Sequence, residues 1–220
     1  MTLQSLDYRF AGVRVGRILI GVAVAVFQLV SYQILLQYNS ERLRDAELWN
    51  ITTALDDALP LIPGFAFIYF LYIPGLIVPA LLDMPMHLFV RYAVAMVVSI
   101  CISLLGFALF PVALVHDAFS CQEFTCAGLH LLRDVDPGVN LLPSLHASQT
   151  LLAGLVLYLA SKRYAVRSFW WFWIPALYLP VIASTLLTKQ HVIIDIFAGF
   201  GVGVLAWYAS RHLMGNADAV

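Results

Sequence analysis

The sequence predicts an all-α integral membrane bundle of six transmembrane helices, and three observations lead to this fold class. The 220-residue chain is 62% hydrophobic, with a mean hydropathy of +0.88, whereas soluble domains are about 45–50% apolar. Only 11% of its residues are charged, which is too little polar cover for a water-exposed surface. Apolar runs of about 20 residues, the length of one span, recur between polar stretches. We therefore expect residues 1–220 to form a single membrane domain.

The spans are bounded by charged residues or by Pro and Gly. The first is expected over about residues 13–36; it is longer than the apolar core of a signal peptide, so we expect it to be retained. Polar segments at 39–57 and 115–142 interrupt the apolar runs. The remaining spans are expected at about 61–82, 88–114, 143–160, 169–187 and 191–213. Four prolines predict kinks in the second span, namely Pro60, Pro63, Pro74 and Pro79.

The distribution of Lys and Arg predicts the orientation of the chain. Six spans place both termini on one side, and that side holds eight of the 12 basic residues. We therefore expect both termini to be cytoplasmic, in an inner or plasma membrane. The long loop and the turn at 188–191 then face the periplasm or the extracellular space.

The charge pattern and the three cysteines narrow the possible partners. With a net charge of −1 and no basic run, the chain gives no sign of a nucleic-acid partner. Cys101 lies in an apolar run and is predicted to be a buried thiol. Cys121 and Cys126 share one loop. They form a disulfide or stay free according to the redox compartment that this loop faces.

A histidine and an aspartate at the start of the sixth span have the spacing of a functional pair. His191 and Asp195 are four residues apart, so they share a helix face. The carboxylate can accept the Nδ1–H of the imidazole, which leaves Nε2 free to attack and stabilises the imidazolium that forms. The alternative is a His–Asp pair with a purely structural role, which joins two helices.

A second segment, Asn140–Ser148, begins the fourth span at the same membrane face. Pro143 suits the first turn of a helix, and Ser144 would lie at a helix N-terminus, where anions bind. His146 could protonate a leaving oxygen. Taken alone, this segment is more typical of a helix cap followed by an interfacial histidine than of a catalytic site. Together the two segments favour attack by histidine on phosphorus, with cations and N–H groups holding the phosphate oxygens.

Two other classes of function are compatible with this composition, namely a transporter or channel and a catalytically silent scaffold. In a small transporter or channel, His191 and Asp195 would relay a proton, and ionisable residues would lie near mid-span. Here they cluster at helix ends on one face, which favours catalysis. A catalytically silent scaffold would leave the spacing of these residues to chance.

The two segments resemble the second and third signature motifs of the type 2 phosphatidic acid phosphatase superfamily, Pro-Ser-Gly-His and Ser-Arg-x5-His-x3-Asp. Pro143, Ser144 and His146 match the former, with Leu145 at the glycine position. Ser184, His191 and Asp195 match the latter at full spacing. The resemblance covers about residues 60–213 and implies a six-helix membrane core.

The resemblance also implies a division of labour. His191 would be the nucleophile, Asp195 its orienting partner, and His146 the acid and then the base. Ser144 and Ser184 would contact the phosphate of a lipid or polyprenyl phosphate, and no metal or cofactor would be needed.

The chain departs from the family pattern at two points. Thr185 stands at the arginine position of the third motif, and the Lys-x6-Arg-Pro first motif is not evident. Lys189 and Arg133 are therefore the candidate phosphate-binding cations, and Arg91 falls on the cytoplasmic side. The segments around Pro60–Pro63 and Ser184–His191 look more like the branch that contains inositol phosphorylceramide synthases. That likeness leaves open whether water or a lipid hydroxyl accepts the phosphoryl group.

Overall fold

The computed structural model describes residues 3–43, 51–82, 84–110, 112–114, 116, 121, 123–163 and 169–214. Within these ranges the fold is all-helical, which confirms the all-α part of the predicted fold class. The helices are α1 (Leu3–Arg42), α2 (Ala54–Ala58), α3 (Phe65–Tyr69), α4 (Tyr72–Leu81), α5 (Met86–Leu109), α6 (Phe124–Val135), α7 (Leu145–Arg163), α8 (Phe169–Leu187) and α9 (Ile193–Leu213).

Three of the described helical segments are long and apolar enough to cross a membrane, namely Arg14–Arg42, Met86–Leu109 and Ile193–Leu213. Phe65–Leu81 and Tyr178–Leu187 are shorter apolar helical stretches. This pattern is compatible with a membrane protein. The predicted number of six spans stays a prediction.

Two stretches of the chain differ from the helices that the sequence predicts. The second predicted span is divided into α3 and α4 at Phe70 and Leu71. Pro74 lacks the N–H that would bond to the carbonyl of Phe70 in a continuous helix, so the hydrogen-bond ladder is interrupted there. The long loop contains α6, whose buried residues Leu129 and Leu132 pack with Ala66 and Tyr69.

The centre of the bundle is the packing of α5, α7 and α9. Glycines on α9 allow its backbone to lie against α7. A Cβ at Gly203 would lie 2.8 Å from the carbonyl oxygen of Ser148. A Cβ at Gly199 would collide with the carbonyl oxygen of Ser144 and lie 2.9 Å from the Cβ of Ala147. The two helices that carry the predicted catalytic residues therefore start side by side.

The three cysteines form one disulfide and leave one free thiol. Cys121 and Cys126 are joined by a disulfide, with 6.0 Å between their Cα atoms. The prediction for Cys101 was wrong, because its side chain is exposed on α5. An apolar run in a membrane helix contains lipid-facing as well as core positions, and hydropathy alone does not separate them.

Candidate active site

The turn between α8 and α9 carries His191. The backbone N–H groups of Gln190 and His191 both donate to the carbonyl oxygen of Thr185, at 3.0 and 3.1 Å. Lys189 adopts a left-handed backbone conformation, with φ of 57°. The chain therefore doubles back tightly, so that His191 lies immediately before the first turn of α9.

Asp195, in the first turn of α9, forms the expected pair with His191, although His191 precedes the helix and does not share its face. The Nδ1 of His191 lies 2.9 Å from Oδ2 of Asp195. The same carboxylate oxygen accepts the backbone N–H of Val192 at 3.3 Å. Asp195 is fully buried and His191 is only 6% exposed. The carboxylate is therefore held in place from two directions and orients the imidazole.

His146 completes the group from the start of α7. Its Nδ1 lies 3.0 Å from the Nε2 of His191. The rings of Tyr69 and Tyr72 pack against the imidazole of His146, with centroid distances of 4.5 and 4.1 Å. The three side chains predicted as catalytic are thus brought together in one hydrogen-bonded row.

The row has one pattern of protons when the carboxylate is ionised and the His191 ring is neutral. Nδ1 of His191 donates to Asp195, so Nε2 of His191 carries a lone pair. That lone pair accepts the Nδ1–H of His146. A group that is to react with Nε2 of His191 must therefore displace His146 from this hydrogen bond. The displaced N–H is then directly beside the reacting atom.

A cavity of about 380 Å³ opens beside the two histidines. Its polar end contains His146, His191, Asp136 and Asn140, while most of its remaining wall is formed by apolar side chains of α1, α4 and α5. Several of the wall residues are also exposed on the outer surface of the bundle. They are Ile18, Val22, Leu29, Ile73, Ile77 and Leu81. The cavity therefore reaches sideways between α1 and α4, from the histidines to the apolar surface.

The predicted phosphate-binding serines do not line this cavity. Ser144 is fully buried, and its Oγ accepts the backbone N–H of Ala147 at 3.2 Å, so it acts as a cap of α7. The Oγ of Ser184 donates to the carbonyl oxygen of Val181 at 2.6 Å. Both hydroxyls thus serve the backbone of a helix.

The candidate cations also lie outside the cavity wall. The Nζ of Lys189 donates to the backbone carbonyl oxygen of Asp56. Arg133 is half-buried on α6, between cavity-lining Leu132 and Asp136, and is not itself among the lining residues. The guanidinium of Arg91 lies over the ring of Trp207, 4.1 Å from its centroid. Trp207 is about 21 Å along α9 from Ile193, so Arg91 is at the opposite end of the bundle.

Sequence reasoning missed the tyrosines and the acid at the polar end of the cavity. Asp136 accepts the hydroxyl of Tyr32 at 3.0 Å and that of Tyr69 at 3.3 Å. It also accepts the backbone N–H of Gly138 at 3.2 Å. Asp136 lies in the polar segment at 115–142, and no local pattern links it to Tyr32, which is 104 residues away in sequence.

The chain was compared with protein-family models, curated proteins and solved structures, and none matched. The candidate site consists of the row of Asp195, His191 and His146 and the cavity that opens beside it.

Proposed function

We propose that this protein is an enzyme that transfers a phosphoryl group from a lipid phosphate through a covalent phospho-histidine at His191. The observation that carries the proposal is the row Asp195–His191–His146 at the polar end of an otherwise apolar cavity. A carboxylate-oriented imidazole is the arrangement that makes Nε2 a nucleophile.

The chemistry follows from the order of the three side chains. The Nε2 of His191 attacks phosphorus, and the bond from phosphorus to the leaving oxygen breaks. His146, in its imidazolium form, gives its Nδ1 proton to that oxygen and becomes neutral, and Asp195 stabilises the positive charge on the His191 ring. In the second half, water or a hydroxyl attacks the phospho-histidine, the P–N bond breaks, and His146 takes the proton of the attacking group.

The cavity supports an amphiphilic substrate. A hydrocarbon chain fits the apolar wall between α1 and α4, and the phosphate then lies at the histidine end. Because several wall residues are exposed on the apolar surface, a lipid could enter without its chain passing through water. This entry route favours a lipid phosphate over a water-soluble phosphate ester.

The acceptor separates two forms of the proposal, a phosphatase and a transferase that moves a phospho-headgroup between lipids. Purified protein is incubated with phosphatidate, a polyprenyl pyrophosphate, phosphatidylglycerol phosphate and a sphingolipid acceptor with a phospholipid donor. Free phosphate and new lipids are measured together. Free phosphate alone indicates hydrolysis, and a new phospholipid indicates transfer. Absence of both products from every substrate would contradict the proposal.

The mechanism predicts a characteristic inhibitor profile. Orthovanadate mimics trigonal bipyramidal phosphorus and should bind at His191, so it should inhibit. A chelator should leave the rate unchanged, because the nucleophile is an imidazole. Loss of activity with EDTA that a divalent ion restores would move the chemistry to a metal.

We also propose that the site faces away from the cytoplasm, as the Lys and Arg distribution predicts. Asp57 and Arg211 are both exposed and lie on opposite predicted sides. After Cys101→Ser removes the exposed native thiol, Asp57→Cys should react with a membrane-impermeant maleimide on intact cells. Arg211→Cys should react only after lysis. The reverse pattern would overturn the orientation.

A further inference from the structure

A short segment after α1, residues 53–62, is attached to the turn that carries His191. Asp56 is the centre of this attachment and is only 4% exposed. Its Oδ1 accepts the backbone N–H of Ile193 at 2.7 Å, across 137 residues of sequence. Its Oδ2 accepts the N–H and the hydroxyl of Thr53 at 2.9 and 2.6 Å. The carboxylate of Asp56 therefore joins the start of α2 to the start of α9.

Two further hydrogen bonds connect the same parts of the chain. Lys189 donates from Nζ to the backbone carbonyl oxygen of Asp56, and the N–H of Ile62 donates to the carbonyl oxygen of Leu187 at 2.8 Å.

Burial raises the pKa of Asp56, but the hydrogen bonds from Thr53 and Ile193, with the charge of Lys189, lower it overall. An ionised carboxylate can accept from both neighbours at once.

At the start of α9, the backbone N–H groups and His191 compete for the carboxylate of Asp195. The first N–H groups of a helix have no partner within the helix and attract carboxylates. Asp195 already accepts from Val192 with the same Oδ2 that faces His191. Because Asp56 takes the N–H of Ile193, Asp195 does not have to turn toward that group. Without Asp56, the N–H of Ile193 would lose this acceptor, and Asp195, two residues further along in the first turn of α9, carries a carboxylate that could turn toward it.

We propose that Asp56 is a positioning residue for the nucleophile, which holds the turn at 188–193 in place and keeps Asp195 directed at His191. The inference rests on the proposed function, since it assigns Asp56 a role in the reaction of His191. Lys189 belongs to the same attachment in this interpretation, where it fixes the turn and does not bind the phosphate.

The experiment compares Asp56→Ala with Asp57→Ala, which removes the exposed carboxylate next to it on α2. Misplacement of a reacting group by about 1 Å can cost roughly 100-fold, so kcat of Asp56→Ala should fall by about that factor with KM nearly unchanged. Asp57→Ala should match the wild type. Asp56→Asn keeps one acceptor oxygen for Ile193 and should restore part of kcat. Lys189→Met should lower kcat with KM unchanged, whereas the loss of a lysine that binds the phosphate would raise KM.

A second readout does not depend on turnover. In protein labelled with ¹⁵N-histidine, the downfield Nδ1–H proton of His191, assigned by its loss in His191→Ala, reports the hydrogen bond to Asp195. This resonance should shift or disappear in Asp56→Ala and persist in Asp57→Ala. If it is unchanged and kcat is unchanged, Asp56 does not position the nucleophile. If the wild type transfers no phosphoryl group but the resonance still responds to Asp56, the proposed reaction fails and the attachment stands. A KM increase in Lys189→Met would overturn its place in the attachment.

Discussion

The contact of α7 with α9 and the contact of α1 with α4 are built in opposite ways. Between α7 and α9, Gly199 and Gly203 allow the backbones to touch, and no space is left for an added Cβ. Between α1 and α4, a Cβ at Gly21 would meet only the Cβ of Ala80, at an ordinary 3.7 Å, and a cavity of about 380 Å³ remains beside them. The close contact carries the histidines, and the open one leaves the space in which the proposed substrate would lie.

This difference agrees with what each part must do in the proposed reaction. A row of hydrogen bonds at about 3 Å works only if its members are held to within a fraction of that distance. A hydrocarbon chain, in contrast, needs volume and an entrance more than it needs exact partners. Substitutions in the two regions should therefore have different effects, which are expected to be largest at the histidines and smallest at the cavity entrance.

The largest effect is expected for His191→Ala. Since Nε2 of His191 forms the covalent bond to phosphorus, this variant should lose the reaction, not merely slow it. Neither product nor acid-labile phosphoprotein should be detected after a rapid quench with labelled donor. Phosphoprotein in His191→Ala together with its absence from His146→Ala would mean that the two roles are reversed.

A smaller effect is expected for His146→Ala, which removes the proton donor but not the nucleophile. General acid catalysis contributes roughly 10²–10⁴-fold, so the rate with a lipid donor should fall within that range. A nitrophenyl phosphate has a leaving group that needs no proton, so the variant should recover much of its activity with this donor. An equal loss with both donors would contradict the assignment of His146 as the acid.

The parts of this site that the sequence predicted are those with local spacing. The i, i+4 spacing of His191 and Asp195 predicted their hydrogen bond, which the structure contains. The expected shared helix face was wrong, because His191 precedes α9 and Val192 between them has an extended backbone. His146 required a second segment and the expectation that both helices start at the same face. The position of Asp56 at the start of a helix can be predicted from the sequence, because Thr53 and Asp56 have the spacing of a capping box and form one. Its bond to Ile193, however, crosses 137 residues, and no periodicity reports such a contact.

The predicted phosphate ligands illustrate a different limit. A motif gives the residue type at a position, but several neighbours compete for each polar group. The hydroxyls of Ser144 and Ser184 bond to backbone groups, at Ala147 and Val181, because serine readily bonds to the backbone of its own helix. The prolines of the second span predicted kinks, but they did not indicate which of them divides the helix; the break between α3 and α4 lies just before Pro74.

The close contact should be sensitive to a single methyl group. Gly199→Ala places a Cβ against the carbonyl oxygen of Ser144 and the Cβ of Ala147. Overpacking of this kind costs about 1–3 kcal/mol of the free energy of unfolding. Gly201→Ala is the matched control on the same helix, because its Cβ would meet nothing within 4 Å. It should gain about 0.5–1 kcal/mol from helix propensity. Unfolding by SDS titration measures both, and equal stability of the two variants would contradict the packing argument.

The smallest effect is expected at the open contact, where a larger side chain narrows the entrance without touching the histidines. Ala25 is exposed on α1 and lines the cavity, whereas Ala23 is exposed on the same helix and does not line it. Ala25→Phe should lower kcat/KM for a long-chain lipid phosphate by roughly tenfold, the scale of one misfitted group in an apolar pocket.

The same variant should act almost normally on a short, water-soluble phosphate ester, because the phosphate end of the cavity is unchanged. Ala23→Phe, which adds the same ring to the exposed outer surface of α1, should behave as the wild type with both substrates. If Ala25→Phe slows both substrates equally, the ring disturbs the histidines and the two regions are not independent. If it slows neither, the hydrocarbon chain does not lie between α1 and α4, and the cavity is not the route by which a lipid reaches His191.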